Sequence, residues 1–301
     1  MLKIPSQSNK LWTHGLLILG LCIAGGNFIA VKQVVNHAMT PVQFVMVRVT
    51  ITAIFFTIVS LFIPENKKIT LNDHIRLFSC AVCGVAVNQY FFYAGMQLTS
   101  PINASIFNLM LPVTIAVLSY FWLKQPMNNY ILAGLMFSLA GAAVLIDFAK
   151  VSFSQSTFWG DLFVLINAIF FGIYLIGIVP LAQKYHAVTI TKWLFVYGFI
   201  IFLPIGGAEA LQSDFSQFTD NDWYAFIFVI VFTSWIAYFL NNYMPKIAST
   251  YLIGVYVYAQ PFVTTLFSLI LGKDELTIKK VICGLIIIFG IYLVQYGRAK
   301  Q

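Results

Sequence analysis

Residues 105–124 read SIFNLMLPVTIAVLSYFWLK, an almost wholly apolar run with Pro112 near its middle. Proline has no amide hydrogen and its ring clashes with the preceding turn, which costs a water-exposed helix about 3 kcal/mol. In lipid the balance differs, because neighbouring helices, side chains or trapped water can satisfy the freed carbonyl. Residues 256–273, YVYAQPFVTTLFSLILGK, repeat the design around Pro261. Two proline-bearing apolar runs 149 residues apart raise two expectations, a membrane protein and a duplicated one.

Composition supports the first. The chain has 301 residues, of which 60% are hydrophobic and 9% charged. A soluble protein carries about 25% charged residues, so this surface is too poor in charge to face water. The 29 phenylalanines suit lipid. The net charge of +7 comes from basic residues scattered singly between apolar runs. They form no basic face of the kind that binds nucleic acid, so no nucleic-acid partner is expected. Cys22, Cys80, Cys83 and Cys283 all lie inside apolar runs. Cys80 and Cys83 have the spacing of a redox or metal pair, but no second Cys or His pair accompanies them. Neither a disulfide, a metal nor any other cofactor is expected.

A helix needs about 20 apolar residues to cross the hydrocarbon core. Ten candidate spans result, at 11–31, 42–63, 75–97, 101–123, 129–148, 158–183, 189–207, 222–244, 250–271 and 279–297. The longest connection, about 208–221, is polar and acidic. The first span follows Lys3 and Lys10 as a signal peptide would, but its apolar stretch is too long and lacks a small-residue cleavage site, so it reads as an anchor. Ten spans bring both termini to one face. If that face is cytoplasmic, eleven of the 17 basic residues lie inside and five outside, with Arg48 within a span. Basic residues favour the cytoplasm, so both termini are expected there.

The 149-residue offset that superposes Pro112 on Pro261 also superposes Ser119 on Ser268 and Lys124 on Lys273. Five spans fall in each copy, 1–150 and 151–301. Five is odd, so the second copy enters the membrane upside down. The expected fold is an all-α integral membrane protein of ten transmembrane helices, arranged as two inverted five-helix repeats, the plan of many secondary transporters. Pro112 and Pro261 would then kink the fourth span of each repeat beside a central gap, as structural or gating elements.

Polar groups inside apolar spans are expensive and mark functional sites. Gln89 and Tyr93 lie four apart on one face of the third span. Trp235, Tyr238 and Asn242 form a stripe spaced three and four in the eighth. The offset equates Gln89 with Tyr238 and Tyr93 with Asn242, so both stripes are expected to line one cavity. Asn103 and Asn108 in the fourth span, Tyr256 and Gln260 in the ninth, Asn27 in the first and Tyr174 in the sixth complete the candidate binding set. Arg48, the one basic residue well inside a span, needs a carbonyl, water, a partner or a solute carboxylate. Lys32 sits near the outer interface, where it can snorkel.

The whole chain resembles the drug/metabolite transporter superfamily, in its ten-helix EamA-type branch. The resemblance rests on FFYAGMQLTSPINASIFNLMLPVTIAVLSYFWLKQP with LAGLMFSLAGAAVLI, and on YFLNNYMPKIASTYLIGVYVYAQPFVTTLFSLILGKDELT with CGLIIIFGIYLV. It rests also on GGNFIAVK (25–32) and on Arg48 within FVMVRVTITAIFF. Where the family carries a glutamate after the fourth span of a repeat, the second half has Glu275 but the first reads LKQP. The resemblance implies export or exchange of small metabolites, a bacterial inner membrane, and a structural or gating role for Arg48.

Aromatic and amide walls suit a neutral or zwitterionic solute such as an amino acid; amphipathic drugs are the alternative cargo. No Asp or Glu lies at the centre of a span, so the residues point to exchange or facilitated diffusion rather than a proton relay. A membrane-embedded lipid-modifying enzyme or a channel are the rival classes, and no nucleophile–base or metal-ligand cluster supports the enzyme. Partners are a small-molecule substrate and the bilayer, for a monomer or homodimer.

Overall fold

A computed structural model describes residues 10–63, 68–99, 104, 107–145, 155–260, 263 and 277–300. Those residues are helices joined by short connections: α1 (Lys10–His37), α2 (Pro41–Ser60), α3 (Leu71–Leu98), α4 (Met110–Phe121), α5 (Asn129–Leu145), α6 (Gln155–Gly177), α7 (Ala187–Ala210), α8 (Asp220–Lys246), α9 (Thr250–Val257) and α10 (Ile278–Ala299). A short turn, Val179–Ala182, extends α6. Segments of α1, α2, α3, α6, α7 and α8 are each long and apolar enough to cross a membrane, and α4, α5 and α10 supply shorter apolar helices.

Several helices run past the apolar stretches that announce them, because polar caps extend them. Thr40 caps α2 and Gln43 reaches back to close a capping box. Thr70 caps α3 through the amide of Asp73, and Thr219 caps α8 through the amide of Asp222. Such side chains satisfy amides that have no partner within the helix. Large apolar residues such as Ile282, Leu285, Ile288 and Tyr292 point outward from α10, as a lipid-facing surface requires.

Residues 104, 107 and 108 are helical, Leu109 is a turn residue, and α4 begins at Met110 with Pro112 its third residue. The helical run of the fourth span is interrupted within one turn of the proline, whose ring and missing amide hydrogen act on the preceding turn. The matching Pro261 lies outside the described residues.

Packing follows the repeat. α2 packs on α7, α4 on α9 and α5 on α10, so each of these helices meets its own counterpart. α3 packs on α6, and its mirror pairing, α8 on α1, is also made. Exchanging every helix with the one five later leaves this pattern unchanged, as a two-fold axis between the halves demands. Two hydrogen bonds join residues exactly one repeat apart and so mark the axis. Gln89 Nε2 donates to Tyr238 Oη at 3.0 Å, and Ser138 Oγ donates to the carbonyl of Ile287 at 3.3 Å.

α3 and α8 share a further irregularity. Both pass through π-helical turns, Val82–Val87 in α3 and Val229–Ala237 in α8, which overlap when the halves are superposed. The wide turn in α8 is braced by Ser234 Oγ, which donates to the carbonyl of Val229 five residues earlier at 3.0 Å. Wide turns of this kind are rare and concentrate at functional sites.

Candidate functional site: a cavity on the two-fold axis

A cavity of about 200 Å³ lies between the α1–α8–α9 side and the α3–α4–α6 side. Its walls are mostly apolar, with Phe28, Phe92 and Phe171 among them, and its polar groups come from both halves. Of the residues selected from sequence, Asn27, Gln89, Tyr93, Asn108, Tyr238, Tyr256 and Gln260 line it, as does Arg48. Asn103 lies outside the described residues.

Three of the selected residues sit elsewhere. Trp235 falls within the π-helical stretch, where a spacing of three or four no longer keeps side chains on one face. Its indole stacks on Phe55 at 3.7 Å, away from the cavity. Asn242 is fully buried and held by Tyr174, whose hydroxyl donates to Asn242 Oδ1 at 2.8 Å. Asn242 Nδ2 donates in turn to Thr191 Oγ1 at 2.9 Å. Tyr174 and Asn242 thus form a dry contact between α6 and α8 beside the cavity.

Arg48 enters from α2 and is 2% exposed. Nε donates to Ser234 Oγ at 2.5 Å, and the guanidinium carbon lies 5.6 Å from the Tyr93 ring centre and 5.7 Å from that of Tyr238. Contacts between a cation and aromatic faces contribute about 0.5–2 kcal/mol each when desolvated. No carboxylate pairs with Arg48 among the described residues. The cavity therefore holds a cation stabilised by rings and a hydroxyl, with no carboxylate among the described residues to compensate its charge.

The axis itself passes through a short relay. Gln89 donates to the Tyr238 hydroxyl, which donates to the carbonyl of Gly84 at 2.6 Å. That carbonyl lies within the π turn of α3. Gly84 is required there, since a Cβ would overlap the ring of Tyr174. Further amide pairs lace the walls. Asn88 and Asn167 each donate to the other's carbonyl, at 3.3 and 2.9 Å, and tie α3 to α6. Thr233 Oγ1 donates to Asn27 Oδ1 at 3.0 Å and ties α8 to α1. Asn108 Nδ2 donates to Gln260 Oε1 at 3.1 Å, and Tyr256 bonds to His14 Nδ1.

Asn88, Asn167, Thr233 and Asn241 also line the cavity and were not selected from sequence. Asn167 lies within an apolar stretch as Asn27 does, and that signal could have found it. Asn88 and Asn241 each adjoin a selected residue, and they face the cavity because the π turns before them rotate the helix.

The EamA-like transporter family model matches the chain twice, over residues 11–147 and 158–296. The chain belongs to the EamA-like transporter family. Membership covers both five-helix halves and fixes the all-α membrane fold, the helices of each EamA copy being those that pair across the axis. An uncharacterized transporter of Archaeoglobus fulgidus is 26% identical to this EamA chain over 96% of it and 98% of that protein. The uncharacterized transporter YoaV of Bacillus subtilis is 24% identical, over 93% of this chain and 95% of its own. Walls Are Thin 1 of Arabidopsis thaliana is 21% identical, over 97% of this chain and 84% of its own. A solved crystal structure with 17% identity superposes with a TM-score of 0.74 over 96% of this chain and 99% of that one, a likeness of fold.

Proposed function

We propose that this EamA-family transporter carries a small neutral or zwitterionic solute, such as an amino acid, by alternating access of its central cavity between two inverted bundles. The observation that carries this reading is the guanidinium of Arg48, which no carboxylate among the described residues pairs, in an otherwise amide- and aromatic-lined cavity. A buried cation without a carboxylate gains from an anion delivered by the solute. One cation suits one carboxylate, and the apolar walls suit an apolar body. Polyanionic sugars would need several such contacts. No Asp or Glu among the described residues lines the cavity, which favours exchange or downhill export over proton antiport. The basic-residue distribution supports termini on the cytoplasmic face, and the family branch supports a bacterial inner membrane.

Counterflow in proteoliposomes tests the proposal. Vesicles preloaded with one unlabelled amino acid at a time should accelerate uptake of the same labelled compound, and Arg48→Ala should abolish the acceleration while Arg48→Lys retains part of it. Equal counterflow by wild type and Arg48→Ala for every transported compound would overturn the assignment of the carboxylate to Arg48. Preferential transport of amphipathic cations would favour the drug-export alternative that the aromatic walls also permit.

A further inference from the structure

The two halves are not in the same state. The matched regions begin at residues 11 and 158, 147 apart, and end at residues 147 and 296, 149 apart; we take the first offset for α1 and α6 and the second for α3 and α8. Two contacts agree with these registers. Tyr174 lies against Gly84, and the images of those residues, Asn27 and Thr233, are hydrogen-bonded to each other. The same registers map the bonded pair Tyr174–Asn242 onto Asn27 and Tyr93. Each pair holds one tyrosine and one asparagine, with the types exchanged between helices.

Only one of these pairs is closed. Tyr174 and Asn242 are joined at 2.8 Å. Asn27 Oδ1 is taken by Thr233, and the Tyr93 hydroxyl is buried without a hydrogen-bond partner. Gln89 Oε1, one turn away, is likewise buried and unpaired. An unmet buried polar atom costs about 1–3 kcal/mol and calls for a reason. A solute cannot supply it here, since the orphaned atoms are closed off from the cavity that their residues border. A neighbouring helix can. α1 and α3 already touch at the residues beside them, where Phe28 and Phe92 meet edge to face at 5.4 Å.

We propose that Tyr174–Asn242 and Tyr93–Asn27 are two alternating latches, closed one at a time at opposite faces of the membrane. The inference rests on the alternating-access reading and adds the groups that exchange. Tyr174 and Asn242 lie toward the ends of α6 and α8 at the face of the chain termini; Asn27 and Tyr93 lie toward the ends of α1 and α3 at the other. In the present state the first latch is made. In the opposite state α6 and α8 part and Asn242 loses its tyrosine; α1 and α3, already packed together, shift against each other so that Asn27 Oδ1 leaves Thr233 and accepts from the Tyr93 hydroxyl. The Gln89–Tyr238 contact, on the axis between the latches, is the pivot.

Hydrogen–deuterium exchange of the full chain in lipid nanodiscs reads this without a solute. Tyr174→Phe should raise exchange at residues 183–186 and 243–249 by about fivefold, as loss of one hydrogen bond predicts, and lower it at 38–40. Tyr93→Phe should shift both regions in the opposite direction, and the double variant should return toward wild type. Asn242→Leu and Asn27→Leu repeat the test from the acceptor side if either tyrosine variant is poorly folded. Shifts in the same direction, or none, would overturn the latches. Opposed shifts in a protein that transports nothing would leave the latches standing and remove the transport reading; counterflow without opposed shifts would do the reverse.

Discussion

Two seams lie on the same axis and are built in opposite ways. Where α5 meets α10 the backbones nearly touch. A Cβ on Gly290 would collide with Ser138 and with the carbonyl of Gly134, and one on Gly134 would collide with α10. Where α3 meets α8 the helices are wide-turned, polar and separated by a cavity, and they meet through Gln89 and Tyr238. Close approach of small residues is how helices bind one another in lipid, where no hydrophobic gain is available. A polar contact with one spare acceptor holds less firmly and can be remade. The comparison teaches that one seam is a fixed spine and the other a joint, and that duplication alone does not decide which is which.

Replacing a glycine of the spine should have the largest effect. Gly290→Leu forces a side chain into backbone, and overpacking of this kind costs about 3 kcal/mol or more. Little monodisperse protein should survive detergent extraction, as size-exclusion chromatography would show; near-normal recovery would mean that the spine is looser than its geometry. At the joint, Arg48→Ala should leave the protein folded but slow counterflow by about 10-fold or more, equivalent to ~1.4 kcal/mol. Tyr238→Phe breaks both bonds of the axis relay and should lower the melting temperature in detergent by the equivalent of about 1–2 kcal/mol, more than Ser138→Ala does on the spine, where packing remains. The finest contrast is Tyr174→Phe against Tyr93→Phe. The first loses a made hydrogen bond and should melt earlier by the equivalent of about 1 kcal/mol; the second removes an orphaned hydroxyl and should melt at the wild-type temperature or above it. If both melt earlier by equal amounts, the halves are in the same state after all.

Much of the fold was legible because lipid imposes length and composition on every span. The ten helices, the repeat and the 149-residue offset follow from apolar runs and two prolines. Helix ends were less legible, since Thr40, Thr70 and Thr219 extend helices into residues that look like loop. Pro112 pointed to an irregularity in the fourth span, but a proline in an apolar run does not reveal that the break falls at Leu109. In the site, Gln89 and Tyr238 were found by symmetry. The stripe through Trp235 failed because its spacing assumed 3.6 residues per turn across a stretch that is π-helical, and nothing in VIVFTSWIA announces the wider turn. Asn88 and Asn241 were missed for the same reason, the rotation that turns them inward being set by the packing of α3 and α8.

A residue on a two-fold axis faces its own image. Were two identical five-helix chains to assemble this way, the position of Gln89 would confront another glutamine, and any side chain there would have to be complementary to itself. Fusing the copies into one polypeptide lifts that restriction. Glutamine now faces tyrosine, a directional donor–acceptor pair that no homodimer can contain, and each half has become dependent on a chemical difference carried by the other.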